Sequence, residues 1–169
     1  MDGNDDHKEY SRIPTLEDLI ILCRHLNTQK VKYVVVGGLA IIHFGYVRAT
    51  GDIDLLVEDS PENIASIKKA LAYIPDGEVD QIAETDLGQY QVVRISGEIT
   101  VDLLAKAGEV TYSNAKDHIH YEELNGVSIP YLSPSLLIET KLGIRPKDIQ
   151  DRHFLQRLID SSKDKGKGI

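Results

Sequence analysis

Two carboxylates lie on one short apolar segment, Gly51-Asp52-Ile53-Asp54-Leu55. Side chains alternate between the two faces of a β-strand, so Asp52 and Asp54 share a face while their apolar neighbours enter the core. At a rise of ~3.3 Å per residue their Cα atoms lie about 6.5 Å apart. Two carboxylates at that spacing can converge on a pair of divalent cations roughly 3.5–4 Å apart. The segment therefore predicts a metal site, the alternative being an edge strand with a solvated polar face.

A pair of glycines precedes this segment. Gly37 and Gly38 follow the apolar run Tyr33–Val36, predicted as a buried strand, and precede Leu39–Phe44, predicted as a short helix. Glycine allows close approach of the backbone, and the N–H groups that begin a helix face an anion. A phosphate-binding turn beside two metal-binding carboxylates indicates chemistry on a nucleoside triphosphate (NTP).

These motifs together resemble the nucleotidyltransferase superfamily, which includes DNA polymerase β-like enzymes, antibiotic adenylyltransferases and small bacterial members linked to toxin–antitoxin systems. Its pattern is a hydrophobic residue, Gly, then Gly or Ser, about ten further residues and Asp-x-Asp or Asp-x-Glu. Val36-Gly37-Gly38 and the Asp52–Asp54 pair match it, and the resemblance extends over roughly residues 30–155. Many members have Ser where this chain has Gly38, which offers only its backbone N–H.

The resemblance implies a third acidic residue on a later strand, which holds the catalytic metal or takes a proton from the attacking hydroxyl. Asp102, at the centre of the apolar segment 100–104, is the predicted third acid. Glu98, Asp86 and Glu84 are the alternatives. Asp52, Asp54 and Asp102 are thus the predicted catalytic and metal-binding residues, with Mg²⁺ or Mn²⁺ as the cofactor.

Four further residues are predicted by the resemblance to bind the nucleotide together with the glycines. Arg48 and Thr50 precede the metal strand, and their alternative is an ordinary polar loop. Lys141 and Lys147 would neutralise the triphosphate or the leaving pyrophosphate. Their alternatives are a cation at a helix C-terminus for Lys141 and a surface pair with Asp151 for Lys147.

Two histidines have a spacing that could resemble a metal-binding pair. His118 and His120 share a strand face, but no third ligand is nearby in the sequence, so both are predicted to be exposed strand residues. His43 is predicted to be a packed or capping residue of the short helix after the glycines.

Composition limits the classes of protein. The chain has 169 residues and is 41% hydrophobic, enough for one domain with a sizeable core. It contains no apolar run near the ~20 residues that span a bilayer and does not begin like a signal peptide. Its one cysteine, Cys23, excludes a disulfide framework. These features predict a cytoplasmic protein without a membrane segment.

The net charge of −8 is unevenly distributed. Residues 131–169 contain eight Lys and Arg against five Asp and Glu, whereas residues 1–130 contain eleven against twenty-two. Phosphate contacts require cations, so the acidic body argues against binding long DNA. This charge distribution remains compatible with binding a small nucleotide through metal ions, or with binding one end of a nucleic acid.

Periodicity and turn residues predict an α/β fold, with a mixed sheet flanked by helices and further helices at the C-terminal end. A single domain over residues 13–160 is expected, its helical part beginning at about 133, between a flexible N-terminus (1–12) and a flexible tail (161–169). The predicted elements, in chain order, are a helix from Thr15 to near Thr28, the strand 33–36, the helix 39–44, the strand 52–57, a helix from Ser60 to near Pro75, an acidic loop over 76–88 that overhangs the site, a hairpin of 89–95 with 99–104, a hairpin of 119–124 with 127–132, and helices opening at Pro134 and Pro146.

The functional hypothesis is transfer of a nucleoside monophosphate (NMP) from an NTP to a hydroxyl, with release of pyrophosphate. The acceptor is left open between an RNA end such as that of tRNA, a protein side chain and a small molecule. The resemblance to toxin–antitoxin members implies an antitoxin or a second copy of the chain as partner. The alternative is an inactive nucleotide- or protein-binding module on the same fold, which Gly38 favours and the intact carboxylates oppose.

Overall fold

The structure, a computed structural model, describes residues 11–164. Within this range seven α-helices accompany a six-stranded mixed sheet, and the predicted α/β class is confirmed. The elements are α1 (Leu16–Thr28), β1 (Tyr33–Val36), α2 (Gly37–His43), β2 (Asp52–Val57), α3 (Pro61–Leu71), α4 (Asp86–Gln89), β3 (Val93–Ser96), β4 (Thr100–Leu104), β5 (Lys106–Ala107), β6 (Val110–Thr111), α5 (Tyr112–Ala115), β7 (Ile119–Leu124), β8 (Val127–Leu132), α6 (Pro134–Leu137) and α7 (Pro146–Asp164).

The sheet has the strand order β3-β4-β2-β1-β8-β7, and β5 and β6 form a separate small hairpin. Strand β1 is antiparallel to β2 and parallel to β8. Strand β2 is parallel to β4, so the two carboxylate-bearing strands are neighbours. Strands β3 and β7 pair antiparallel with β4 and β8 and form the two edges.

Two capped helices pack together over the sheet. Helix α1 begins with a capping box, in which the Thr15 hydroxyl accepts from the Asp18 N–H and the Asp18 carboxylate accepts from the Thr15 N–H. Helix α3 begins at the predicted Ser60 cap, whose hydroxyl accepts from the Asn63 N–H. The two helices contact each other, α1 also contacts β8, and the buried residues of both helices belong to the same core as the fully buried Ile53 and Leu55. The core thus fixes β2 from its apolar side.

Some element boundaries differ from the predicted ones. Helix α2 begins at the glycines themselves rather than at Leu39. Strand β3 begins at Val93, because residues 86–89 form the short helix α4. The helix opening at Pro134 ends at Leu137 and continues as a 3-10 turn, Ile138–Thr140. The hairpin β5–β6 and helix α5 were not predicted, since elements of two to four residues contain too few positions for a periodic pattern.

The predicted flexible ends lie mostly outside the described residues, which exclude 1–10 and 165–169. Within the described part, Ser11 donates a hydrogen bond of 2.7 Å to the Gly97 carbonyl, and Arg12 pairs with Asp18 and Glu98. Helix α7 extends to Asp164, into the segment predicted as a tail. None of the helices described over residues 11–164 has the length and apolar character needed to cross a membrane.

Candidate active site

Three carboxylates meet at the centre of the sheet. Asp52 and Asp54 lie on β2, and Asp102 lies on β4 in register with Asp54. Asp102 is only 6% exposed. Burial, and then the charge of Asp102, raise the pKa of Asp54 to about 6. A bound cation would offset this repulsion, so the three carboxylates, hard oxygen ligands on rigid strands, fit Mg²⁺ or Mn²⁺.

Arg94 on β3 bridges two of these carboxylates. Its Nε and Nη2 atoms donate to the two Asp102 oxygens over 2.8 and 2.9 Å, and Nη2 lies 3.3 Å from Asp52 Oδ2. These hydrogen bonds raise the pKa of the guanidinium further above its usual range. Arg94 is not among the predicted site residues, and it is the observed register of β3 on β4 that places it opposite Asp102. Arg94 supplies positive charge where the carboxylates would bind a metal.

The two glycines pack directly against the predicted site residues. Gly37 has φ +69°, and a Cβ atom there would overlap the Asp54 carboxylate. A Cβ atom on Gly38 would lie 2.5 Å from Thr50 Oγ1 and 3.0 Å from Arg48 Nη2. Only glycine lets the turn approach these side chains so closely. The predicted phosphate-binding turn therefore adjoins Asp54, Arg48 and Thr50.

Asp151 of α7 joins two of the predicted nucleotide-binding cations. Its carboxylate lies 3.0 Å (Oδ1) from Arg48 Nε, and its Oδ2 lies 3.1 Å from Arg48 Nη2 and 3.4 Å from Lys141 Nζ. Asp151 is completely buried. The proposed surface pair of Lys147 with Asp151 is therefore wrong: Asp151 faces the interior, because α7 packs that face against the domain, and Lys147 is exposed.

Hydrogen bonds also hold the loop that carries Lys141 against α7. Arg152 Nη1 donates to the carbonyl groups of Lys141 and, over 2.7 Å, of Gly143. The positive charge of Lys141 also lowers the otherwise raised pKa of Asp54, which indicates that the ammonium group is near the carboxylates. The structure brings Lys141 to the site, whereas Lys147 forms no ion pair among the described residues.

The alternative third acids have other contacts. Glu98 lies at the β3–β4 turn and pairs with Arg12, and Asp86 accepts from the Ala83 N–H at the start of α4. Glu84 is exposed. The acidic loop approaches the site from the side of Arg94, with which it lines a cavity of about 310 Å³ against β3. The geometry thus favours Asp102 over the alternatives.

A family model described as "Nucleotidyl transferase of unknown function (DUF2204)" matches residues 15–165, which include every residue of the site. The chain belongs to this family. The resemblance to the nucleotidyltransferase superfamily is thereby confirmed. No curated protein sequence matches the chain.

A solved structure shows the same fold. The 1.87 Å crystal structure of TM1012, a candidate nucleotidyltransferase from Thermotoga maritima, superposes with a TM-score of 0.53 at 17% sequence identity. The match covers 86% of this chain and 92% of the T. maritima chain. The similarity therefore extends over nearly the whole domain rather than over the metal strand alone.

Proposed function

We propose that this nucleotidyl transferase moves an NMP from an NTP to a hydroxyl group and releases pyrophosphate. The observation that carries the proposal is the position of Asp54, which adjoins Asp102 on one side and the Gly37 turn on the other. Metal-binding carboxylates and a phosphate-binding turn in contact are what phosphoryl-group transfer requires, since its catalysis is mainly positioning and charge neutralisation.

The chain's residues divide into an acceptor side and a phosphate side. Asp52, Asp54 and Asp102 would hold two Mg²⁺ or Mn²⁺ ions, which supply Lewis-acid stabilisation of the acceptor oxygen and of the phosphates. Asp102 takes the proton of the acceptor hydroxyl while the hydroxyl oxygen attacks the α-phosphorus. The bond from the α-phosphorus to the bridging oxygen breaks, and pyrophosphate leaves with that oxygen.

The phosphate side consists of backbone and cations. The N–H groups of Gly37 and Gly38 at the start of α2 face the triphosphate, and Arg48 and Lys141 neutralise it while sharing Asp151 as counter-ion. The Thr50 hydroxyl, beside Gly38, supplies a hydrogen-bond donor near the place of the serine found in many superfamily members. Lys147 remains a prediction of the resemblance alone.

The acceptor, partner and location are proposed from the charge distribution, the family resemblance and the state of the one cysteine. The acidic body disfavours long DNA, which leaves an RNA end such as that of tRNA, a protein side chain or a small molecule as acceptors. The toxin–antitoxin resemblance supports an antitoxin or a second copy of the chain as partner. Cys23 is a free, buried thiol, which is compatible with the reducing cytoplasm.

Labelling tests the activity. The full chain is incubated with each α-³²P-labelled NTP, Mg²⁺ and a cell extract, and labelled products are sorted by sensitivity to nuclease and to protease. We expect one NTP to label one class of acceptor, and Asp54→Asn to abolish the labelling. Asp117→Asn, which changes an exposed carboxylate elsewhere, should label normally. Absence of label with every NTP and extract would reject the enzyme.

One observation favours the second candidate, a nucleotide-binding module without transfer. Arg94 already fills the carboxylate site with a bidentate guanidinium contact to Asp102. If this contact persists in the presence of metal, the chain should bind an NTP through its glycine turn without turnover. Equilibrium binding of NTP that is unchanged by Mg²⁺, together with no labelling, would identify this module.

A further inference from the structure

A second group of metal-ligating side chains lies on the other flank of the sheet. His43 is the last residue of α2, and His120 and Glu122 lie on edge strand β7. One ligand atom from each side chain lies within 4.8 Å of the other two, and His120 Nε2 is 3.5 Å from Glu122 Oε2. The sequence spacing pairs His120 with His118 rather than with Glu122, and His43 comes from a distant helix, so the group is visible only in the fold.

The fold fixes the two imidazole rings. His120 and Glu122 are two residues apart on β7 and therefore share a face. The ring of His43 stacks on Tyr131 with centroids 3.9 Å apart and an interplanar angle of 5°. Phe44 contacts both histidines edge-on, at 5.0 Å from His43 and 5.5 Å from His120. The rings are held by packing before any ligand binds.

The types of donor atom in this group indicate which metal would bind. Two imidazoles and one carboxylate, with a position left open, are typical of Zn²⁺ and similar transition metals, whereas Mg²⁺ prefers oxygen ligands. Around a tetrahedral ion with ligands at ~2.0–2.2 Å, donor atoms lie about 3.3–3.6 Å apart. His120 and Glu122 already have this spacing, and a ring nitrogen of His43 lies within 4.8 Å of both donor atoms.

We propose that His43, His120 and Glu122 form a binding site for Zn²⁺ or a similar transition metal. The site is separate from the carboxylates, since β1 and β8 lie between β2 and β7, a separation of about 14 Å at ~4.8 Å per strand. A metal here ties the edge strand to α2, the helix that begins at Gly37 and Gly38. The inference is independent of the proposed transferase activity.

Metal titration of the untagged full chain tests the site. After treatment with a chelator, Zn²⁺ binding is measured by calorimetry with millimolar Mg²⁺ present, and Co²⁺ binding by visible absorption. We expect one tight equivalent of Zn²⁺ and Co²⁺ bands typical of a four- or five-coordinate site. Losing even an outer partner of a metal ligand costs roughly 10–100-fold in affinity, so His120→Ala should weaken Zn²⁺ binding about a hundredfold or more.

Control variants separate this site from other ligands. His118→Ala removes a nearby exposed histidine outside the cluster and should bind Zn²⁺ like the wild type. Asp52→Asn should also leave Zn²⁺ binding intact. His120 is exposed, so its replacement leaves the core untouched. The His120→Ala variant therefore tests the site even if His43→Ala folds poorly because it loses the stacking on Tyr131. The proposal would be overturned if the wild type bound no Zn²⁺, or if His118→Ala weakened Zn²⁺ binding as much as His120→Ala does. It would also be overturned if Asp52→Asn weakened Zn²⁺ binding and His120→Ala did not. His120 and Glu122 would then form only an ion pair.

Discussion

Asp54 and Asp102 lie side by side in register on the parallel strands β2 and β4, with the Arg94 guanidinium paired to Asp102. Both positions are set by main-chain pairing within the sheet rather than by loops. The carboxylates are therefore held close together in the metal-free protein, at a cost to its stability that can be measured.

The first prediction concerns pH and Asp54. Above about pH 6 Asp54 is ionised in the native and unfolded chains, and its burial beside Asp102 destabilises the native state. As the pH falls from about 6 towards the ordinary value of 3.8, the native carboxyl binds a proton first, so the penalty disappears. A pKa raised from 3.8 to about 6 corresponds to roughly 2–3 kcal/mol.

Asp54→Asn should therefore be more stable than wild type at neutral pH in chelator, by roughly 5 °C in Tm. The difference should shrink as the pH is lowered to about 4. Thermal unfolding of both proteins across this range measures it, and comparing the two cancels the titration of the other carboxylates. A stability difference that is constant with pH would contradict the raised pKa of Asp54.

The second prediction concerns Arg94 as a competitor of the metal. Arg94→Gln leaves Asp102 without its bidentate partner, and because Arg94 is about half exposed we expect a loss of about 1–2 kcal/mol without metal. Mg²⁺ or Mn²⁺ should then raise the Tm of the variant more than that of wild type, because the guanidinium no longer occupies the carboxylates.

Arg12→Gln is the matched control, since Arg12 also pairs with two carboxylates, Asp18 and Glu98, neither of which belongs to the site. Its metal-induced Tm shift should equal that of wild type. If Arg94→Gln responds to metal no more than wild type does, Arg94 and the cation do not compete.

The third prediction concerns Gly38. Although many superfamily members have serine here, Gly38→Ser should raise KM for the NTP by roughly tenfold, about 1.4 kcal/mol. The added Cβ atom would displace Thr50 and Arg48, which lie 2.5 and 3.0 Å from its position. Gly51→Ala is the control, because a Cβ atom there meets nothing within 4 Å. Wild-type kinetics in Gly38→Ser would show that Thr50 and Arg48 move aside freely.

The fourth prediction concerns Asp151. Asp151→Asn removes the charge that holds Arg48 and Lys141, and we expect a loss of stability of about 3 kcal/mol, as for breaking a buried ion pair. KM for the NTP should rise more than kcat falls, because the two cations bind phosphate rather than the acceptor. Asp160→Asn, on the exposed side of the same helix, should change neither. An unchanged KM in a folded Asp151→Asn would separate these cations from nucleotide binding.

The features of the site that could be predicted are those that depend on the spacing of residues along the chain. Strand alternation placed Asp52 and Asp54 on one face, and the apolar surroundings of Asp102 indicated a central strand. Asp151 was assigned to the surface because spacing along a helix does not say which face packs inwards. His43 and His120 meet only through the sheet order, and Arg94 required the hairpin register, so these contacts depend on tertiary structure.

The place of Asp151 in the chain has a consequence for synthesis. The ribosome makes β2 and β4 well before α7, and chains begin to fold from the N-terminus. Until α7 has emerged, Arg48 and Lys141 lack their buried counter-ion, so the two cations cannot reach their final positions before this helix docks. A chain that stops short of Asp151 would have the three carboxylates without the counter-ion that positions Arg48 and Lys141, so we expect the proposed triphosphate site to be completed only when α7 docks.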